Sequence, residues 1–160
     1  MNDNLKKIIK ILTDKNKTIA TMESCTGGGV ANAITNIEGA SEIIKFSAVT
    51  YSNEYKIKMG VNPNIIDKYS VYSKETAIEM AHNISKFSNS NYGVGITGKL
   101  NRVDKNNPFG EDNKVFVCVF DSDNKEDYLL EVLATKPSRS ENKELVINEV
   151  VTKLLEIIKK

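Results

Sequence analysis

A chain of 160 residues fits one domain built around a single core, residues 1–160. Apolar residues make up 40% and charged residues 27%, and 22 basic against 21 acidic side chains leave a net charge of +1; that balance favours neither nucleic acid nor an anionic membrane as a partner. No apolar run approaches the ~20 residues of a bilayer span, and the opening Met1-Asn2-Asp3-Asn4 lacks the apolar core of a signal peptide, so the cytoplasm is the expected setting.

In chain order, Asn4 to Asp14 places Leu5, Ile8, Ile9 and Leu12 at helical spacing between lysines, which predicts an amphipathic surface helix. Thr18 to Met22 reads as a short strand, broken by Gly27-Gly28-Gly29, and Val30 to Asn36 as a helix. A second strand is expected within Ile43 to Tyr51, around Phe46 to Tyr51, with the stretch to Lys56 closing it. Ser73 is a candidate N-cap for a helix through Phe87, whose apolar stripe is Ala77, Met80, Ala81, Ile84 and Phe87. Tyr92 to Thr97 predicts a third strand. Lys114 to Phe120 and Asp127 to Ala134 predict two more, joined by a turn at Asp121 to Glu126. Ser140 to Ile158 reads as a long final helix with Leu145, Val146, Val150, Leu154, Ile157 and Ile158 facing inward. This alternation predicts a three-layer α/β/α domain with a mixed, mostly parallel sheet.

Ligands in such folds gather at the carboxyl ends of strands, and Ser24 falls at such an end. A serine hydroxyl needs a base to take its proton and donors for the oxyanion it creates. Glycines let a backbone approach a ligand closely and adopt positive φ. A helix starting near Gly28 would point free N–H groups back toward Ser24, which suits an oxyanion or a phosphate. The plain alternative is a strand-to-helix turn in which Ser24 or Thr26 is only a cap. His82, the sole histidine, sits in a predicted helix away from Ser24, so the base would be a lysine made neutral by burial or a neighbouring cation. Lys56, just beyond the second strand, is the candidate. Cys25 is a rival nucleophile, but in a strand its side chain points away from that of Ser24, so a buried apolar role is expected. Cys25 and Cys118 cannot make a disulfide framework and read as reduced thiols.

Glu23-Ser24-Cys25-Thr26-Gly27-Gly28, then Thr50-Tyr51-Ser52-Asn53-Glu54 with Lys56, then Val71-Tyr72-Ser73 opening a helix, resembles the CinA C-terminal domain family, whose members include nicotinamide-nucleotide amidohydrolases. The similarity runs from about Lys17 to the last helix. It implies hydrolysis of the amide of nicotinamide mononucleotide to nicotinate mononucleotide and ammonia. Ser24 would be the nucleophile, Lys56 the base and Tyr51 an assisting group. Thr26, Gly27, Gly28, Asn53, Thr97, Gly98 and Arg139 would lie around the substrate. It implies no cofactor, a small-molecule pyridine nucleotide as ligand, and a homo-oligomer. A binding module without turnover, or a hydrolase of another small amide, are the alternatives.

Two places depart from the family pattern. After Thr97-Gly98 the family carries Ile-Ala-Gly-Pro and a glycine-rich stretch, where this chain has Lys99-Leu100-Asn101-Arg102 and then Val103-Asp104-Lys105-Asn106-Asn107-Pro108. Of two arginines expected four residues apart near the C-terminus, Arg139 is present and Lys143 stands at the second, keeping the charge without the bidentate geometry. Gly93-Val94-Gly95-Ile96-Thr97-Gly98-Lys99 imitates a phosphate-binding loop, but Leu100 stands where Ser or Thr would hold Mg²⁺. No Cys/His spacing suits a metal.

Overall fold

The structure, a computed structural model, describes residues 1–102, 104–108 and 110–160. The helices are α1 Asn2–Asp14, α2 Gly29–Thr35, α3 Asn53–Lys58, α4 Pro63–Tyr69, α5 Lys74–Ser88 and α6 Arg139–Ile158; the strands are β1 Ile19–Glu23, β2 Ile44–Val49, β3 Tyr92–Gly98, β4 Lys114–Asp121 and β5 Glu126–Leu133. The strands form one sheet in the order β2-β1-β3-β4-β5. β2, β1 and β3 run parallel, β4 runs against β3, and β5 against β4, so four of the five strands share a direction. Helices α1, α2 and α6 cover one face through Leu5, Ile8, Val30, Ile34, Val146, Val150 and Leu154. Helix α5 covers the other through Ala77, Met80, Ala81 and Ile84. The domain is therefore the expected three-layer α/β/α arrangement with a mixed sheet.

The chain leaves β1 for β2 on one side and returns past it to β3 on the other. β1 is thus the point where the winding reverses, the position at which α/β sheets open a crevice at their carboxyl ends. The carboxyl ends of β1, β2 and β3 carry Ser24, Thr50-Tyr51 and Gly98-Lys99, so three sequence segments far apart in the chain meet there.

Two readings of the sequence are corrected. Tyr51 to Lys56 does not close β2. Ser52 caps α3 by accepting from the Tyr55 N–H at 3.2 Å, and Lys56 rides on that helix. Phe87 is 63% exposed and lies outside the buried stripe of α5, its ring 5.1 Å from that of Phe46. The glycines of Gly93-Val94-Gly95, whose likeness to a phosphate loop Leu100 already set aside, serve packing. They lie within β3, and a Cβ on either would overlap the carbonyl oxygens of Ala81 or Ala77 on α5. Their role is to let α5 lie close against the sheet. Among the described residues no helix is long and apolar enough to cross a membrane. Val103, within the polar segment after Gly98, lies outside the described residues.

Candidate active site

Ser24 follows the last residue of β1, its N–H donating to Ile96 O on β3 at 3.0 Å. Across the crevice, the Lys56 amine donates to Ser24 Oγ at 3.0 Å and to the Thr50 carbonyl at 2.7 Å. Lys56 is 2% exposed. Burial disfavours the charged ammonium and lowers its pKa to about 8, against smaller opposing effects of Cys25 and Asp104. Roughly a tenth to a fifth of the amine is therefore neutral near physiological pH, and a neutral amine 3.0 Å from a hydroxyl can accept its proton. Thr50 Oγ1, beside this pair in sequence, is buried without a hydrogen-bond partner among the described residues.

The turn after Ser24 is shaped by Glu23, fully buried at the end of β1. One carboxylate oxygen accepts from the Thr26 hydroxyl at 2.7 Å and the Val30 N–H at 2.9 Å; the other accepts from the Thr21 hydroxyl at 2.9 Å and the Ala31 N–H at 3.0 Å. The first-turn amides of α2 are therefore taken by Glu23, and the Gly29 N–H by Thr26 O. The expectation that they face Ser24 as free donors is corrected. Gly27 and Gly28 hold φ of 61° and 88°, the left-handed conformation that glycine adopts without strain and that this tight return requires.

Ser24, Cys25, Tyr51, Asn53, Lys56, Gly98 and Arg139 line a cleft of about 580 Å³. Arg139, the first residue of α6, donates to the Tyr51 hydroxyl at 2.7 Å. Ser138 anchors that helix start in a reciprocal capping box with Glu141. Thr26, Gly27, Gly28 and Thr97 do not line the cleft. Thr26 spends its hydroxyl on Glu23, and buried Thr97 donates to Val71 O at 2.9 Å. Lys143 lines a separate groove of about 280 Å³ between α1, α2 and α6, its amine 3.2 Å from the place a Cβ on Gly27 would occupy. Cys25 sits in the turn after β1 and not in the strand; it is buried, and burial pushes its thiol up to about 12. His82 lies on α5, stacked on Phe120 and 2.6 Å from Asp127 Oδ1, and does not line the cleft.

The other lining residues had no role assigned from the sequence; chief among them are Tyr72, Lys99, Arg102, Asp104, Asn106 and Asn107. All but Tyr72 come from the segment after β3, which the sequence marks as a departure from the family pattern and whose place at a strand's carboxyl end brings it to the cleft. Lys99, 3% exposed, pairs with Asp112 at 3.2 Å and lies over the Tyr72 ring. Asn53 Nδ2 donates to Asn107 Oδ1 at 3.1 Å and so ties the segment to α3.

The family model described as the CinA C-terminal domain matches residues 2–158. A competence-damage inducible protein of Alkaliphilus oremlandii is 46% identical over 92 residues, 57% of this chain and 22% of that protein. A CinA-like protein of Endomicrobium trichonymphae is 44% identical over 99 residues, 61% and 23% of the two chains. The chain thus spans about a fifth of the length of these curated relatives. Among solved structures, the competence/damage inducible protein CihA of Agrobacterium tumefaciens superposes with a TM-score of 0.87 at 26% identity, covering 99% of this chain and 95% of that one. A competence or damage-inducible protein of Enterobacter asburiae, at 24% identity, shares the fold with a TM-score of 0.86 over 98% and 97%.

Proposed function

Because the chain belongs to the CinA C-terminal domain family, we propose that it is an amidohydrolase that converts nicotinamide mononucleotide to nicotinate mononucleotide and ammonia. The observation that carries this reading is the buried Lys56 amine, lowered to about 8 and 3.0 Å from Ser24 Oγ. Neutral Lys56 takes the Ser24 proton as Oγ attacks the carboxamide carbon. The tetrahedral oxyanion needs donors other than α2. The main-chain N–H groups of Cys25 and Thr26, which meet no acceptor among the described residues, fill that role in this reading. Protonated Lys56 returns its proton to the departing nitrogen, ammonia leaves, and an ester on Ser24 remains. Water, relieved of a proton by the again neutral Lys56, attacks the ester, releases the carboxylic acid and restores Ser24.

Arg139 and Arg102 supply cationic ends for the phosphate, and the Tyr51 hydroxyl, its oxygen occupied by Arg139, keeps its own proton to donate to substrate. The direct test is ammonia release from nicotinamide mononucleotide by the purified protein and by Ser24→Ala. Release by the first and none by the second is expected. No release by the wild type rejects the substrate, and equal release by both rejects the nucleophile.

A further inference from the structure

The segment after Gly98, from Lys99 to Pro108 in sequence, departs from the family pattern, and the proposed reaction leaves most of it unused. Within it Asp104 is the one carboxylate among the described residues lining the cleft, against the cations Lys56, Lys99, Arg102 and Arg139. It is held, not loose. The Tyr72 hydroxyl and Asn107 Nδ2, at 3.3 Å for the latter, donate to Oδ2, and the Asn106 N–H donates to Oδ1 at 2.9 Å. These donors, the Tyr72 hydroxyl first, keep its carboxyl below the ordinary range, so it is ionised at any pH near neutral.

Among the described residues the cations of the cleft are otherwise engaged or stand apart from Asp104. Lys99 is matched by Asp112, Lys56 is bonded to Ser24 and Thr50, and Arg139 is bonded to Tyr51. Among the described residues Asp104 makes no ion pair, and neither do Arg102 and Arg139. Yet Asp104 is close enough to Lys56 to act on its charge. Among the described residues the cleft therefore shows one unpaired negative charge near the Ser24–Lys56 pair and two unpaired positive charges besides. That pattern is complementary to a zwitterion whose cation lies next to the reacting amide and whose anion lies elsewhere.

Resting on the amidohydrolase reading, we infer that Asp104 is a specificity-determining residue that pairs with a cationic N-alkylpyridinium ring beside the carboxamide attacked by Ser24. The site then selects pyridinium nucleotides over their dihydropyridine forms, which carry the same amide and phosphate but a neutral ring. Tyr72, whose hydroxyl fixes the carboxylate, is a positioning residue in this scheme. Asp104 also forms a local turn with Asn106, and a purely structural role would weaken both ring forms alike.

The test compares nicotinamide mononucleotide with its 1,4-dihydro form, by calorimetric binding and by ammonia release, for the wild type and Asp104→Asn. Asparagine keeps the size and much of the hydrogen bonding, and the neutral ring serves as an internal control for folding. The wild type should favour the pyridinium form roughly fivefold or more, the effect of a charge pair in a partly exposed cleft. Asp104→Asn should remove most of that preference, chiefly through Kd and KM. Tyr72→Phe should reduce it in the same direction. Equal binding of the two forms by the wild type, or equal weakening of both in Asp104→Asn, overturns the inference while leaving the amidohydrolase reading intact. Asp104-dependent preference for the pyridinium form without ammonia release upholds the inference and removes the amidohydrolase reading. Binding of neither form removes both.

Discussion

Glu23 and Lys56 lie on opposite sides of Ser24, one ending the strand before it and the other on α3, and both are sealed from water. Around Glu23 four donors converge, two on each oxygen. Around Lys56 there are two acceptors, one of them the serine hydroxyl. Burying a charge is costly unless hydrogen bonds replace the lost water. The carboxylate has them and behaves as scaffold: it joins β1, the turn and the first turn of α2. The amine does not, and burial shifts its balance toward the neutral form, which is the form that can take a proton. The same burial thus makes one ionisable group structural and the other reactive, and the number of partners decides which.

Exchanging the reactive member should produce the largest effect. Lys56→Arg places a permanent cation beside Ser24 and removes the base, so ammonia release should fall by on the order of 10³-fold. Lys56→Met should lose activity equally but melt at a higher temperature near neutral pH. Lys56 titrates at about 8 when folded and at 10.5 ordinarily. Between those values the unfolded chain binds a proton that the folded chain does not, so stability rises with pH across that window. Below about 8 the penalty is complete, on the order of 3 kcal/mol. The advantage of Lys56→Met should therefore be greatest at and below pH 8 and shrink toward pH 10.5. An advantage unchanged across that range would show that burial does not depress the lysine.

The pH dependence of turnover follows from the same group with the sign worked out. The active form is the neutral amine, so activity should climb with pH and level off above about 8. Below that it should fall about tenfold for each pH unit, as one proton returns to one base. A flat profile between pH 6 and 8 would break the contrast between the two groups.

Much of this contrast was legible in the sequence, and the rest was not for identifiable reasons. The helices α1, α5 and α6 carry strong apolar periodicity, and β4 and β5 pair across the turn at Asp121 to Glu126 as expected. Ser24 and Lys56 could be singled out from residue chemistry together with the two matched segments. α3 could not be seen from periodicity, since six residues make less than two turns, and only Ser52 and the positive-φ Gly60 mark its ends. α4 was passed over as well, although Asn62-Pro63, a cap followed by proline at the first helical position, is a signal that could have found it. The role of Glu23 was hidden for another reason. Its four partners come from both sides of a turn, and their convergence depends on Gly27 and Gly28 folding α2 back over β1. The sequence after Gly98 has no period at all, and the place of Lys99, Arg102, Asp104, Asn106 and Asn107 in the cleft follows from where β3 ends.

Glu23→Gln should show a smaller effect, and mainly on stability. The amide nitrogen must face donors on one side, leaving at least one buried N–H of α2 unmatched, at a cost of about 1–3 kcal/mol. Thermal denaturation should report it, and residual activity per folded molecule should fall less than in Lys56→Arg. A variant as stable as the wild type would mean that the turn holds without the carboxylate.

The smallest effect is expected at Cys25, which touches both regions. It shares the buried cluster with Val30 and Ile34, yet it also lines the cleft beside Ser24. If its thiol were the nucleophile, the arrangement of Lys56 would be incidental. Burial pushes it up to about 12, so at pH 8 only about one thiol in 10⁴ is ionised. Cys25→Ala should keep ammonia release within a few-fold of the wild type and lower stability by roughly 1 kcal/mol, the loss of a small buried apolar group. Iodoacetamide at neutral pH should likewise leave activity in place over the time that inactivates an ordinary exposed thiol. Loss of turnover in Cys25→Ala with the fold intact would transfer the nucleophile to the sulfur and make Ser24 a bystander, because Lys56 lies within Coulombic reach of both groups.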